Sequence, residues 1–188
     1  FSMTSSARTL IGIPCQETVK SRTAFDLFHL KGDVKLIMQR GADVAYNRNK
    51  LAQQAIEGKF SHLLFIDSDM SFEPDTLERM LKHDKDILGL AANRKKLPLE
   101  SVVKPLNKQD ENGILPKELF EVESCGTGIM LIKTPVFEYL EAPWFDFEYV
   151  DGERVGEDVS FCRLARNRGY EIWVDPQIPV RHLGEYAF

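Results

Sequence analysis

The stretch His62-Leu63-Leu64-Phe65-Ile66-Asp67-Ser68-Asp69 decides the fold class of this 188-residue chain. From His62 to Ile66 the side chains are apolar without alternation, the pattern of a parallel strand covered on both faces. The acidic triplet Asp67-Ser68-Asp69 follows directly. In open α/β sheets, ligands bind beyond the carboxyl ends of the strands, which is where this triplet falls. Residues two apart in extended chain point the same way, so both carboxylates can face one ion. Mg²⁺ or Mn²⁺ commonly takes one or two carboxylates and completes its shell with water and substrate phosphate.

The triplet has a control within the same chain. Thirteen aspartates in 188 residues give about one chance Asp-x-Asp match, and such short motifs carry a false-positive risk. Asp84-Lys85-Asp86 is a second match, lying between a helical pattern and the start of a strand, where a solvated turn is expected. Position after an apolar strand distinguishes the first copy.

Outward from this strand, the chain alternates. Leu10 to Pro14 and Val34 to Met38 read as short strands. Asp43 to Glu57 carries Ala45, Leu51, Ala52, Ala55 and Ile56 at mostly helical spacing, with Gly58 as the stop. Pro74 opens a helix bearing Leu77, Met80 and Leu81, and Ile87 to Ala91 reads as the next strand. Strand, helix, strand, helix, strand is the rhythm of a doubly wound α/β sheet.

Beyond Asn93 the rhythm changes. Val102 to Leu115 contains Asn112-Gly113 in polar surroundings, a hairpin or exposed loop. Gly126-Thr127-Gly128 leads into a buried strand, Ile129 to Ile132. A helix over Asp158 to Arg168, closed by Gly169, precedes a strand over Glu171 to Val174, and Pro179-Val180-Arg181 is strand-like. Gly152 and Gly156 read as a mobile approach to the last helix, compatible with a lid. The expected organisation is one domain over 4–188, with a nucleotide-binding half at about 8–95 and an acceptor or catalytic half at about 96–188. Phe1-Ser2-Met3 reads as a cloning remnant.

Composition narrows the function classes. Hydrophobic residues make up 43% of the chain, and 24 basic against 29 acidic side chains give a net charge of −5. A chain of this size buries about 70% of its extended surface, enough for a core. The acidic balance argues against coating nucleic acid or an anionic membrane, while leaving room for a local basic pocket. No apolar run reaches membrane-spanning length. Three cysteines, Cys15, Cys125 and Cys162, are odd in number and lack metal-type spacing, which suits a reducing cytoplasm.

Two further features stand near apolar elements. Glu157-Asp158 opens the helix carrying Val159, Phe161, Cys162, Leu164 and Ala165; acids there serve capping and the helix dipole, or chemistry. His182 follows a strand-like segment, as a packed or surface histidine or as a Mn²⁺ ligand.

In this order, the pieces resemble a GT-A-fold glycosyltransferase of the family-2 type. The resemblance rests on Ile13-Pro14, Asn47-Arg48-Asn49-Lys50, Leu64 to Asp69, Gly126 to Leu131, Gly156-Glu157-Asp158 with Phe161-Cys162, and Val180-Arg181-His182. It covers nearly the whole chain. It implies a mixed α/β sheet flanked by helices and transfer of a sugar from a UDP- or GDP-linked donor to a glycan or other hydroxyl acceptor. By the same resemblance, Pro14, Arg48, Asp67, Ser68 and Asp69 contact the donor. Asp69 and His182, with Asp67 nearby, hold Mn²⁺ or Mg²⁺. Asp158 is the catalytic base and Glu157 orients the acceptor. Acceptor contacts fall at Gly126, Thr127, Gly128 and Trp144, although Trp144 and Phe145 also fit packing under a loop.

The sequence departs from the family in one place. Gln39-Arg40-Gly41 stands where members usually carry an acid that reads the nucleobase, so uracil and guanine both remain open. If Asp158 is the base, displacement inverts the anomeric centre, whereas some GT-A relatives with an Asp/His metal site retain it. Two other readings use the same residues: a nucleotidyltransferase with paired carboxylates and Mg²⁺, and an inactive glycan- or nucleotide-binding module. Against the first, the chain lacks a Gly-rich, Lys-containing phosphate loop at its first strand.

Overall fold

A computed structural model describes residues 8–91, 103–106 and 116–184. The anticipated loop around Asn112-Gly113 lies outside these residues.

The first strand, β1 (Thr9–Cys15), is buried along its whole length. It pairs in parallel with β2 (Val34–Arg40) on one side and β3 (His62–Ile66) on the other. Because β3 is covered on both faces, alternate residues enter different layers. Leu63 and Phe65 join one core cluster, and Leu64 and Ile66 join the other. The first layer is roofed by α2 (Val44–Glu57), α4 (Thr134–Tyr139) and α5 (Glu157–Asn167), the second by α1 (Ser21–His29) and α3 (Thr76–Lys82).

α2 begins where Asp43 accepts a bond from the Tyr46 N–H at 3.0 Å, satisfying one of the free amides of the first turn. It ends at Gly58, although Gly58 is not the left-handed residue; Lys59 is, with φ 52°. Gly58 is required for closeness instead. A Cβ there would sit 2.4 Å from the Phe60 ring and 3.0 Å from the Gln54 carbonyl.

The doubly wound expectation needs correction at its centre. β5 (Ile87–Leu90) does not lie beside β3. The glycine-led strand β8 (Ile129–Lys133) inserts between them and runs antiparallel to both. β11 (Ile172–Asp175) is parallel to β5, and β7 (Phe120–Ser124) and β6 (Lys104–Pro105) complete the sheet in the order β2-β1-β3-β8-β5-β11-β7-β6. The sheet is therefore mixed, and strands from both halves of the sequence interleave.

Two short pairings complete the architecture. β4 (Met70–Phe72) pairs antiparallel with β12 (Val180–His182), setting His182 opposite Met70. β9 (Glu148–Val150) and β10 (Glu153–Val155) form a hairpin. Its turn residues Asp151 and Gly152 both have positive φ, 53° and 83°, as a two-residue primed turn requires. Gly152 thus belongs to a hairpin turn and Gly156 is the N-cap of α5; the glycines expected to make a loose lid have defined local roles. Among the described residues, no helix is long and apolar enough to cross a membrane. All three cysteines are buried and unlinked.

Candidate active site

Three consecutive side chains at the start of α2 organise this end of the sheet. Asn47 donates from Nδ2 to the Gly41 carbonyl at 2.9 Å. Asn49 accepts the Trp144 and Phe145 N–H groups at 2.9 and 3.1 Å and donates to the Phe145 carbonyl at 2.7 Å. Between them, Arg48 is 2% exposed. Its Nη2 donates to Asp67 Oδ1 at 2.8 Å and its Nε to Glu157 Oε1 at 3.2 Å. Burial opposes the Arg48 charge, but the two carboxylates outweigh it and raise the guanidinium above its ordinary value. One cation therefore ties the end of β3 to the start of α5.

Asp67 is pushed upward by burial, with Arg48 pulling the other way and Asp69 and Glu157 adding to the rise. Its backbone N–H donates to the Gly128 carbonyl at 2.9 Å. This bond fastens the acidic triplet to the glycine-rich entry of β8.

The β4–β12 pairing carries His182 to Asp69. His182 Nε2 and Asp69 Oδ1 are 3.4 Å apart, and the Leu183 N–H donates to the Asp69 carbonyl at 2.7 Å. Lys20 fastens the same corner: its N–H donates to the Ser68 carbonyl at 2.8 Å and its ammonium to the Leu183 carbonyl at 2.7 Å. Two cis ligands about 2.1 Å from an octahedral ion stand roughly 3 Å apart, so the Asp69–His182 separation fits a shared divalent cation. Asp67 is drawn to Arg48 instead, which sets it apart from this pair. Among the described residues, no group of three or more His, Cys, Asp or Glu side chains converges as a metal cage.

Two hollows meet at Asp67. One, of about 290 Å³, is lined by Pro14, Gly41, Asn47, Asp67, Ser68 and Asp69 beyond the carboxyl ends of β1 and β3. The other, of about 150 Å³, is lined by Gly126, Thr127, Gly128, Glu157, Asp158 and His182, with Arg48 and Asp67 at its wall. Asp158 is raised from its ordinary value, first by burial and then by the neighbouring Glu157 charge, against weaker stabilisation from the Val159 N–H and Arg48.

The structure brings together every singled-out residue but one. Trp144 lines neither hollow. It is 6% exposed and lies in the core, where its Nε1–H donates to the Phe137 and Leu140 carbonyls at 3.0 and 3.1 Å. A ring so enclosed has no face for a sugar, and the packing alternative accounts for it. The control motif behaves as a surface turn: Asp84 and Asp86 pair with Lys133 at 2.9 and 3.2 Å.

Sequence reading missed the bridging role of Arg48. The signal was present, because Arg48 lies three and four residues before Leu51 and Ala52, on the face of α2 that is buried. A charge on an apolar helix face calls for buried partners. The contribution of Lys20 carried no such signal.

Gly156 offers a local test of the site. A Cβ there would lie 2.7 Å from Asp158 Oδ1, the oxygen that accepts the Val159 N–H at 2.8 Å. Gly156→Ala should turn the carboxylate away while leaving the fold intact. If Asp158 takes part in catalysis, turnover should fall by roughly 10²-fold, as misplacement by about 1 Å commonly does, with an unchanged circular dichroism spectrum.

No protein-family model matches this chain, and no curated protein sequence does. Solved structures do match in shape. The crystal structure of A197 from STIV superposes with a TM-score of 0.70 at 21% identity, covering 94% of this chain and 86% of that one. The crystal structure of GalNAc-T7 with UDP, GalNAc and Mn²⁺ superposes with a TM-score of 0.56 at 13% identity, covering 98% of this chain. This chain spans 45% of the GalNAc-T7 chain. At these identities the likeness is one of fold alone: a mixed α/β sheet flanked by helices.

Proposed function

We propose that this chain is a metal-dependent glycosyltransferase that moves a sugar from a nucleoside-diphosphate donor to an acceptor hydroxyl. The observation that carries the reading is the pairing of Asp69 with His182, 3.4 Å apart, at the junction of the two hollows. The crystal structure of GalNAc-T7 contains UDP, GalNAc and Mn²⁺, which is in keeping with this choice of ligands.

Asp69 and His182 would hold Mn²⁺ or Mg²⁺, whose chemistry is to offset the charge gathering on the departing diphosphate. The donor would lie in the hollow beside Pro14, Ser68 and Asp69, beyond the strand ends. Asp158 faces the second hollow, and its raised pKa brings it toward the range in which a carboxylate serves as general base. It would accept the acceptor hydroxyl proton, the arrangement that inverts the anomeric centre. Glu157, held by Arg48, orients the acceptor, and Gly126, Thr127 and Gly128 supply a close-fitting wall without bulky side chains.

Ligand-induced melting tests the reading. With Mn²⁺ present, UDP or GDP at about 100 times its Kd should stabilise by about 2.7 kcal/mol, or roughly 5–10 °C for a chain this long. EDTA, Asp69→Asn or His182→Ala should remove the metal-dependent part. Identical shifts with Mn²⁺ and with EDTA would sink the metal assignment.

A further inference from the structure

At the far end of β5 and β11 from the candidate active site, a cleft of about 490 Å³ opens between the turn before β5, the end of α4 and the end of α5. That size falls within the usual range for small-molecule sites. Its aromatic content is unusual for a surface turn. Tyr139 is 62% exposed and meets Tyr170 edge to face, with centroids 5.9 Å apart at 78°. Trp173 forms a further wall, its Nε1–H donating to Glu171 at 3.0 Å.

The charges around the rings narrow the ligand class. The Lys85 ammonium stands 3.7 Å over the Trp173 ring, in the place a ligand cation would occupy. Asp84, Asp86 and Glu171 border the same space, so an anion meets a ring of carboxylates. Asp86 and Tyr139 both act on the Tyr170 hydroxyl, which burial and their proximity push upward. Acceptors on the acids and tyrosines, and donors on Lys85 and Arg168, therefore border the exposed ring of Tyr139. A pyranose suits this arrangement: its C–H faces pack on aromatic rings, and each hydroxyl both donates and accepts.

We propose that this cleft is a binding site for a neutral saccharide, separate from the site at the carboxyl ends of the strands. It stands independently of the transferase reading, since binding here requires neither donor nor metal. A transferase with such a site would hold a glycan at two places at once, raising the effective concentration of an acceptor.

Saturation-transfer NMR on the intact chain with maltotriose, chitotriose and mannotriose provides the test. At least one of these should receive saturation. Tyr139→Ala should weaken its binding about tenfold, and Tyr139→Phe should retain it. Tyr139 is exposed, so these variants leave the core untouched; Lys85→Met gives a second disruption that spares the rings. UDP with Mn²⁺ should not displace the sugar. Absence of transfer from all three sugars, undiminished transfer in both Tyr139→Ala and Lys85→Met, or displacement by UDP would each overturn the proposal. The melting response to UDP and Mn²⁺ is read separately on the same variants and should be unchanged.

Discussion

Asp158→Asn is expected to lose about 10²–10⁴-fold in turnover, the usual contribution of a positioned general base, while melting no lower than the parent at neutral pH. The two halves of this result have one cause. Burial and the Glu157 charge raise the Asp158 carboxyl above its ordinary value. A carboxyl raised in the folded state gives stability that is fully present below its unfolded value and is lost as pH rises through its folded value. At neutral pH the ionised group is thus a cost to the fold, and the amide removes it while its oxygen still accepts the Val159 N–H. With Asp158 as the proposed base, the same upward shift would move the acid limb of the parent's pH–rate profile to higher pH than an unperturbed carboxylate gives. The groups acting on it are Glu157, Arg48 and the Val159 N–H, with His182 across the hollow. Parent-like turnover in the variant would remove Asp158 from the chemistry, and a marked drop in melting temperature would make its role structural.

The second large effect is expected at Arg48. Arg48→Leu strands Asp67 and Glu157 without their shared cation, and breaking a buried ion pair from one side costs about 3–5 kcal/mol. For a chain of this length that corresponds to a fall on the order of 10 °C. The arrangement predicts rescue: neutralising both acids in the Arg48→Leu background, as Asp67→Asn with Glu157→Gln, should recover part of the loss, because the penalty lies in the uncompensated charges. Arg48→Lys should fall between the two, keeping the charge but losing the fork that reaches two partners. Chemical denaturation of the parent and the three variants checks the series, and absence of rescue in the triple variant would show that the bridge is not the source of the stability.

The architecture was legible in the sequence wherever one segment carried its own signal. β1, β3 and α2 declare themselves through unbroken apolar runs and helical spacing, and β3 places the acidic triplet without further information. The order of strands was not legible. β8 reads as a buried strand, yet nothing local says that it slides between β3 and β5, because the register of long-range pairings is decided by whole-sheet packing. α1 escaped notice because its exposed Phe25 and Phe28 blur the apolar stripe. The Asp151-Gly152 pair itself carries the signal of the hairpin turn, in place of the mobile approach that the two flanking glycines suggest.

The site divides the same way. Glu157 and Asp158 stand together by adjacency, and Asp67 and Asp69 by spacing. His182 joins Asp69 only through the β4–β12 ladder, two three-residue strands too short for any pattern to reveal. Trp144 had the composition of a sugar platform, but its position beside Asn49 and under α4 turns the ring inward.

The most direct measurement is phosphorus NMR of the chain incubated with Mg²⁺ and a set of UDP- and GDP-linked sugars, in the presence and absence of oligosaccharide acceptors, with UTP and GTP in parallel samples. Nucleoside diphosphate should appear from at least one donor, EDTA or Asp69→Asn should stop it, and Asp158→Asn should reduce it about 10²-fold or more. No diphosphate from any donor, or pyrophosphate released from a nucleoside triphosphate instead, would contradict the transferase reading.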